Sequence, residues 1–127
     1  MKKAILFVSL LGLLLMPREI KAAEPELHKA WATAYCITGT TATGTQTVEG
    51  RTVASKREWF GKTMVLWEDD GSGEIKPENF LGIYTVEDTG GDTIKSGAVI
   101  DVYISEYTRA KQFGSKRVIF VLIDAEG

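Results

Sequence analysis

Two aspartates could carry acid–base chemistry, because each lies where an aspartate needs a particular reason to be. Asp101 interrupts the alternating apolar run 99–105, although aspartate is disfavoured inside strands. Asp88 ends another strand-like run, directly before a Thr-Gly-Gly turn. A carboxyl group can donate a proton as an acid and take one up as a carboxylate. By residue type alone, Asp88 can equally be a turn former, and Asp101 can be an edge-strand charge that blocks aggregation.

Other chemistries have weaker support in the sequence. The one histidine, His28, lies in the polar segment 23–30, which we predict to be a flexible leader, so catalysis by a Ser–His or Cys–His pair is not expected. The acidic cluster 68–70 lacks the glycine and glutamate spacing of a calcium-binding EF-hand and is typical of a solvated hairpin. The single Cys36 cannot form an internal disulfide, and we expect it to be buried. We predict neither a metal nor a cofactor.

Six strand-like runs and one helix must position the two aspartates. The strands are predicted at residues 31–37, 51–55, 63–68, 80–88, 99–105 and 117–124. The helix is predicted at 105–113, with Ser105 as its N-cap, Glu106 at the positive end of its dipole and Gly114 as its stop. Many short strands and one helix in a chain of this size predict a small all-β barrel.

Length and charge restrict the class of protein. The 127 residues suit one domain, and a net charge of −2 argues against a nucleic-acid partner. Residues 1–22 have the order of a secretory signal peptide: two lysines, the apolar run 4–16, and a small residue before a cleavage point. That run is shorter than the ~20 residues that span a bilayer. We therefore expect export and cleavage, with no stable membrane insertion afterwards.

Six motifs occur in an order that resembles a known family. They are Thr33-Ala34-Tyr35-Cys36, Thr41-Ala42-x-Gly44, Gly50-Arg51-Thr52-Val53-Ala54, Gly82-Ile83-Tyr84, Asp88-Thr89-Gly90-Gly91 and Ile100-Asp101-Val102-Tyr103. Together they resemble the three-aspartate ("3D") domain of bacterial cell-wall proteins. That family is similar to the catalytic barrel domain of membrane-bound lytic transglycosylase A and to stationary-phase survival proteins. The resemblance runs from about Trp31 to Ile123, and the predicted domain is 31–124.

The resemblance implies a fold, a substrate and a reaction. The fold would be a six-stranded double-psi β-barrel, and the substrate would be the glycan strands of peptidoglycan. We expect the protein to be a monomer associated with the cell wall. The reaction would cleave the bond between N-acetylmuramic acid and N-acetylglucosamine and leave a 1,6-anhydro ring. Asp101 matches the catalytic acid/base, and Asp88 matches the second aspartate of the site. The motif residues expected to bind substrate are Thr33, Tyr35, Thr89, Gly90 and Tyr103.

The sequence departs from the family pattern at its first aspartate. The family usually has Val-Ala-x-Asp-Pro, whereas this chain has Lys56 at the aspartate position. If the strand continues, Glu58 points to the same side as Lys56, and we expect its carboxylate to replace the missing one. The competing hypothesis is that Lys56 lines the groove and lowers the pKa of Asp101. The separation of Asp88 and Asp101 is also longer than usual, with Asp92 in the added stretch.

Two other functions remain open from the sequence. The first is a non-catalytic glycan-binding barrel of the expansin-like kind, which the missing aspartate favours. The second is a structural or partner-binding module of the cell envelope. Double-psi barrels host several activities, so the fold alone does not decide among them.

Overall fold

A computed structural model describes residues 25–124, and the predicted signal peptide lies outside the described residues. The strands are β1 (His28–Tyr35), β2 (Thr52–Ala54), β3 (Thr63–Glu68), β4 (Phe80–Asp88), β5 (Val99–Tyr103) and β6 (Lys116–Ile123). The helices are α1 (Asp92–Lys95) and α2 (Tyr107–Phe113), and 3₁₀ turns lie at Arg57–Trp59 and Pro77–Asn79.

The six strands close into a barrel in the order β1-β5-β2-β4-β3-β6. Two neighbouring pairs are parallel, β1 with β5 and β2 with β4, and the other four pairs are antiparallel. Every strand therefore has two hydrogen-bonded neighbours. The predicted all-β, six-stranded barrel is confirmed. The interpretation of Asp101 as an edge-strand charge is wrong, because closure leaves β5 without a free edge.

The core fills the barrel interior with side chains from alternate strand positions. On β5, Ile100 and Val102 are buried and point inward, whereas Asp101 between them is on the outer face. The other fully buried side chains of the core are Ala32, Val53, Met64, Leu66, Val86, Val118 and Phe120. On β6, four consecutive residues from Val118 to Val121 are buried, as predicted for a strand covered on both faces.

The predicted helix is present but its cap differs. Glu106, not Ser105, caps α2, because its side chain accepts hydrogen bonds from the backbone N–H groups of Thr108 (2.9 Å) and Arg109 (3.0 Å). Gly114 ends the helix with φ +67°, a conformation that glycine adopts without strain, as predicted. The one-turn helix α1 was not predicted.

Strand β1 overlaps the predicted leader 23–30. Strand β1 begins at His28, so the prediction is wrong for residues 28–30. The His28 ring stacks on Phe120, with centroids 5.1 Å apart, and contacts the edge of Trp59. Aromatic packing with residues distant in sequence holds this segment in the barrel. Within residues 25–124, no helix is both long and apolar enough to cross a membrane.

Candidate active site

A cleft of about 540 Å³ lies where the ends of β1, β4 and β5 meet the loop between β1 and β2. Five of the predicted site residues line it: Tyr35, Asp88, Thr89, Gly90 and Asp101. These residues come from three strands that are far apart in sequence. The parallel pairing of β1 with β5 and the antiparallel pairing of β5 with β2 bring them to one end of the barrel.

Asp101 is half-buried at the floor of the cleft. It pairs in register with Thr33 on β1 and with Ala54 on β2. The Thr33 hydroxyl donates a hydrogen bond to Oδ1 of Asp101 at 2.9 Å. Burial raises the pKa of the Asp101 carboxyl above its ordinary value, and the charge of Asp88 adds to the rise, while the bond from Thr33 opposes it. The cleft therefore contains one carboxyl group whose pKa is raised by its surroundings.

The Asp88 carboxylate accepts hydrogen bonds from three donors. Oδ1 accepts the backbone N–H groups of Ala42 and Thr89, each at 3.0 Å, and Oδ2 accepts the Tyr35 hydroxyl at 3.1 Å. Three hydrogen bonds from three different segments therefore fix the position of this side chain. The bond to Thr89 is the local turn contact predicted from sequence, whereas those to Ala42 and Tyr35 come from distant segments.

Tyr35 lies beside both aspartates and acts as a donor. Burial raises the pKa of its hydroxyl above the ordinary value, and the neighbouring Asp88 and Asp101 charges raise it further. The phenol therefore keeps its proton across the physiological range. Tyr35 also contacts the Tyr103 ring edge-on, with centroids 5.5 Å apart. These contacts fix the orientation of the hydroxyl that holds Asp88.

The loop between β1 and β2, residues 36–51, forms a wall of the cleft that the sequence analysis did not predict. We call it the Thr/Gly loop. It docks on β4 through Ala42, and through Thr43, whose N–H donates to the Glu87 carbonyl at 3.1 Å. The cleft residues that were not predicted are Ile37, Thr38, Gly39, Thr40, Thr47, Ala54, Gly91 and Ile94. The motif Thr41-Ala42-x-Gly44 was the one signal that linked this loop to the site.

Two predicted binding residues have supporting positions instead. Tyr103 is buried, does not line the cleft and shares a short hydrogen bond with the hydroxyl of Thr38. Thr33 does not line the cleft either, but it contacts Asp101 directly. The burial of Tyr103, whose ring contacts Tyr35 and whose hydroxyl contacts Thr38, contradicts the prediction that it binds substrate directly. Tyr103 anchors the Thr38 end of the loop.

The segment after Asp88 closes the other side of the cleft. The one-turn helix α1 places the Ile94 side chain in the cleft wall, packed against Gly90. A Cβ atom on Gly90 would lie 2.8 Å from Cδ1 of Ile94, so a larger residue there would displace that wall. Thr89 contributes a buried hydroxyl that has no hydrogen-bond partner among residues 25–124. Asp92, at the start of α1, is exposed and outside the cleft.

The structure does not bring Glu58 to the cleft. Strand β2 ends at Ala54, and the chain enters a 3₁₀ turn at Arg57–Trp59 on which Glu58 is exposed. The in-and-out alternation of side chains therefore ends at Ala54, before it reaches Glu58. The prediction that Glu58 replaces the missing aspartate is wrong. Lys56 does not line the cleft either: its ammonium lies 4.9 Å from the Trp59 ring centroid. It also does not contribute to the pKa of Asp101.

The titratable side chains that line the cleft are Tyr35, Asp88 and Asp101. Among residues 25–124, no three His, Cys, Asp or Glu side chains gather as a metal ion would require. Cys36 is half-buried and unpaired among these residues, not fully buried as expected, and it does not line the cleft. The arrangement offers a carboxyl group with a raised pKa near a carboxylate that accepts three hydrogen bonds, and both line the cleft.

The barrel is similar to solved structures of MltA from Escherichia coli. One crystal structure of MltA shares 24% identity and a TM-score of 0.48 over 68% of this chain and 28% of that chain. A second, described as revealing a unique lytic transglycosylase fold, shares 24% identity and a TM-score of 0.48 over 70% of this chain and 28% of that one. The complex of MltA with chitohexaose shares 23% identity and a TM-score of 0.49 over 70% and 29% of the two chains.

These similarities concern the fold of the barrel. The chain spans less than a third of the length of the MltA structures. No protein-family model and no curated protein matches the sequence. Membership of the three-aspartate family stays a prediction.

Proposed function

We propose that this protein is a three-aspartate-type barrel that cleaves peptidoglycan glycan strands as a lytic transglycosylase. The observation that carries the proposal is the position of Asp101, a half-buried carboxyl group of raised pKa on the floor of an open cleft. A general acid needs its proton near the working pH, whereas an ordinary aspartate, with a pKa of ~3.9, has lost it.

In the proposed reaction Asp101 acts twice. Its carboxyl proton passes to the glycosidic oxygen between N-acetylmuramic acid and N-acetylglucosamine, and the bond from that oxygen to the muramic C1 breaks. The resulting Asp101 carboxylate then takes the proton from the muramic C6 hydroxyl, whose oxygen bonds to C1. This closes the 1,6-anhydro ring, restores the acid and consumes no water.

Asp88 has the electrostatic role in this proposal. Its charge raises the pKa of Asp101 and lies near the positive charge that develops at the sugar C1 in an oxocarbenium-like transition state. The three donors that bind Asp88 hold this charge in place before the substrate arrives. Such preorganisation is what distinguishes an enzymatic carboxylate from a solvated one.

Glycan binding without cleavage is the second candidate. It is favoured by the missing first aspartate, whose place is taken by Lys56, and by the exposure of Glu58 away from the cleft. Digestion of purified peptidoglycan, with mass spectrometry of the products, separates the candidates. Anhydro-muropeptides support the transglycosylase, new reducing ends indicate hydrolysis, and intact glycan that sediments with the protein indicates binding alone.

We also propose export to the cell wall, on the order of charged, apolar and small residues in 1–22. N-terminal sequencing of protein recovered outside the cytoplasm should then begin near Ala23. Recovered protein that still begins at Met1 would contradict cleavage at this position.

A further inference from the structure

A second pocket, of about 310 Å³, opens on the outer face of the barrel beside the cleft. We call it the Trp31 pocket, after its largest side chain; Lys29, Ala98, Asp69 and Arg117 also line it. It lies where β1 crosses between β5 and β6, since Trp31 pairs with Val99 on one side and with Arg117 on the other. The proposed reaction uses none of these residues.

Strand alternation aligns this pocket with the catalytic cleft. Residues two apart on a strand share a face, so Tyr35, Thr33 and Trp31 form one row on the outer surface of β1. Thr33 bonds to Asp101, and Trp31 follows two residues away, or roughly 6.5 Å along the strand. That separation is comparable with the length of a hexose unit. The row Tyr35, Thr33 and Trp31 thus runs along β1 from the cleft to the Trp31 pocket, and this is the direction in which the proposal extends the glycan strand.

The chemistry of the Trp31 pocket suits a sugar with an acidic substituent. Trp31 is 45% exposed, although an indole ring in a monomer surface normally gains from being covered. The Arg117 guanidinium lies over one face of that ring, 5.2 Å from its centroid, and its N–H donors make no ion pair with any residue in 25–124. The exposed part of the ring can therefore receive a sugar while the neighbouring guanidinium binds a carboxylate.

The acidic residue of the pocket does not cancel this preference. Oδ1 of Asp69 accepts the backbone N–H groups of Gly71 (2.9 Å) and Gly73 (3.0 Å), so this carboxylate is engaged in its own turn. Lys29 lies close enough to help lower the pKa of Asp69, and it adds a second cation to the wall. Two cations and one internally bonded carboxylate leave the pocket with a net positive charge.

We infer that the Trp31 pocket is a distal subsite for the glycan strand, where Trp31 stacks on a sugar ring and Arg117 binds the carboxylate of that unit. This inference rests on the proposed function, because it assigns the same glycan to a longer groove. It adds a specificity: the subsite should prefer peptide-free strands, whose muramic carboxylates are not amide-linked to stem peptides, over uncharged chains such as chitohexaose.

Isothermal titration calorimetry on the full chain with Asp101→Asn, which prevents turnover, tests the subsite. The probes are glycan strands stripped of stem peptides, the same strands with their carboxylates amidated, chitohexaose, and free stem peptides. Trp31→Ala should weaken binding of the stripped strands by roughly three- to tenfold. Arg117→Gln should weaken binding of the stripped strands by a similar factor and leave binding of the amidated strands unchanged.

Two matched variants serve as controls. Phe80→Ala removes an exposed aromatic ring on β4, and Arg57→Gln removes an exposed cation on the 3₁₀ turn; neither residue lines either pocket. Melting temperatures establish that each variant is folded. If Trp31→Ala binds the strands as tightly as Phe80→Ala does, the subsite is refuted while glycan binding in the cleft stands. Free stem peptides that bind as tightly as the strands would also overturn it. If no glycan probe binds and none is cleaved by the wild-type chain, the proposed function fails with it.

Discussion

Thr33 and Asp101 face each other across the parallel pair β1–β5, and the threonine hydroxyl donates to Oδ1 of the aspartate at 2.9 Å. This bond stabilises the charged form of Asp101 against burial and the charge of Asp88, which both raise its pKa. It also occupies one carboxyl oxygen, so Oδ2 is the oxygen available to a substrate. Burial, the bond from Thr33 and the charge of Asp88 together set the pH range in which Asp101 can act as an acid.

Replacing Asp101 should stop glycan cleavage. Asp101→Asn keeps the side-chain shape and the acceptor for Thr33 but removes the transferable proton. Loss of a general acid typically lowers the rate by about 10²–10⁴-fold, and release of anhydro-muropeptides measures this. Glu58→Gln, which neutralises an exposed carboxylate outside the cleft, is the matched control and should keep the wild-type rate. An Asp101→Asn variant with most of the wild-type rate would contradict the role assigned here.

The same variant should not lower stability at neutral pH. The folded-state pKa of Asp101 is raised above its unfolded value, so its contribution to stability is fully present below ~3.9 and is lost as pH rises through the folded-state pKa. Asparagine avoids that loss. The melting temperature of Asp101→Asn should therefore equal or exceed that of the wild type at pH 7, with the gain disappearing in acid. If the melting temperature of the variant, relative to that of the wild type, is lower at pH 7 than at pH 3, the raised pKa of Asp101 is refuted.

Removing the Thr33 hydroxyl should move the pH profile upward. Thr33→Val deletes the bond that lowers the pKa of Asp101, so the acid keeps its proton to a higher pH. The alkaline limb of the rate profile, where activity falls as Asp101 ionises, should shift to higher pH. Thr33→Ser retains the hydroxyl and should restore the wild-type limb. A purely structural role for Thr33 would lower the rate at every pH and leave the limb in place.

Neutralising Asp88 should move the alkaline limb of the rate profile to lower pH. Asp88→Asn removes the charge that raises the pKa of Asp101, so the acid ionises at lower pH and the limb shifts downward. The variant should also lose about 1–2 kcal/mol of stability, because one amide cannot replace a carboxylate that accepts from Tyr35, Ala42 and Thr89. Chemical denaturation and the rate profile measure the two effects separately. A stability loss without a shifted limb would leave Asp88 a structural residue only.

The Thr/Gly loop should loosen when its surface anchor is removed. Glu49 accepts hydrogen bonds from both the N–H and the hydroxyl of Ser105 and pairs with Arg109, which together lower its pKa to about 2. Because its folded-state pKa is lowered, the contribution of Glu49 is present above its unfolded value of 4.5 and is lost as pH falls toward 2. Glu49→Gln should thus lower the melting temperature at pH 7 and match the wild type near pH 2. Glu78→Gln, on an exposed turn, is the control that should have no effect.

Local patterns in the sequence were sufficient to predict the six strands and to single out the two aspartates at their ends or within them. Alternation on β5 placed Ile100 and Val102 inside and Asp101 outside, and the unbroken apolar run of β6 predicted its burial. These predictions succeeded because side-chain direction in a strand depends only on neighbouring residues. The helix and its stop at Gly114 were predictable for the same reason, since caps and turns are short-range features.

Tertiary structure decided which of these residues act together. Glu58 was misplaced because β2 ends at Ala54, a limit set by its pairing with β4 and β5 and not by its own residues. Tyr103 was misassigned because it is buried in contact with Tyr35 and Thr38, and His28 because Phe120 and Trp59 hold it in the barrel. Each of these contacts joins residues far apart in sequence, and a single sequence records no distance between them. The pairing of β1 with β5, which no local pattern encodes, is what places Thr33 against Asp101 and aligns Trp31 with the cleft.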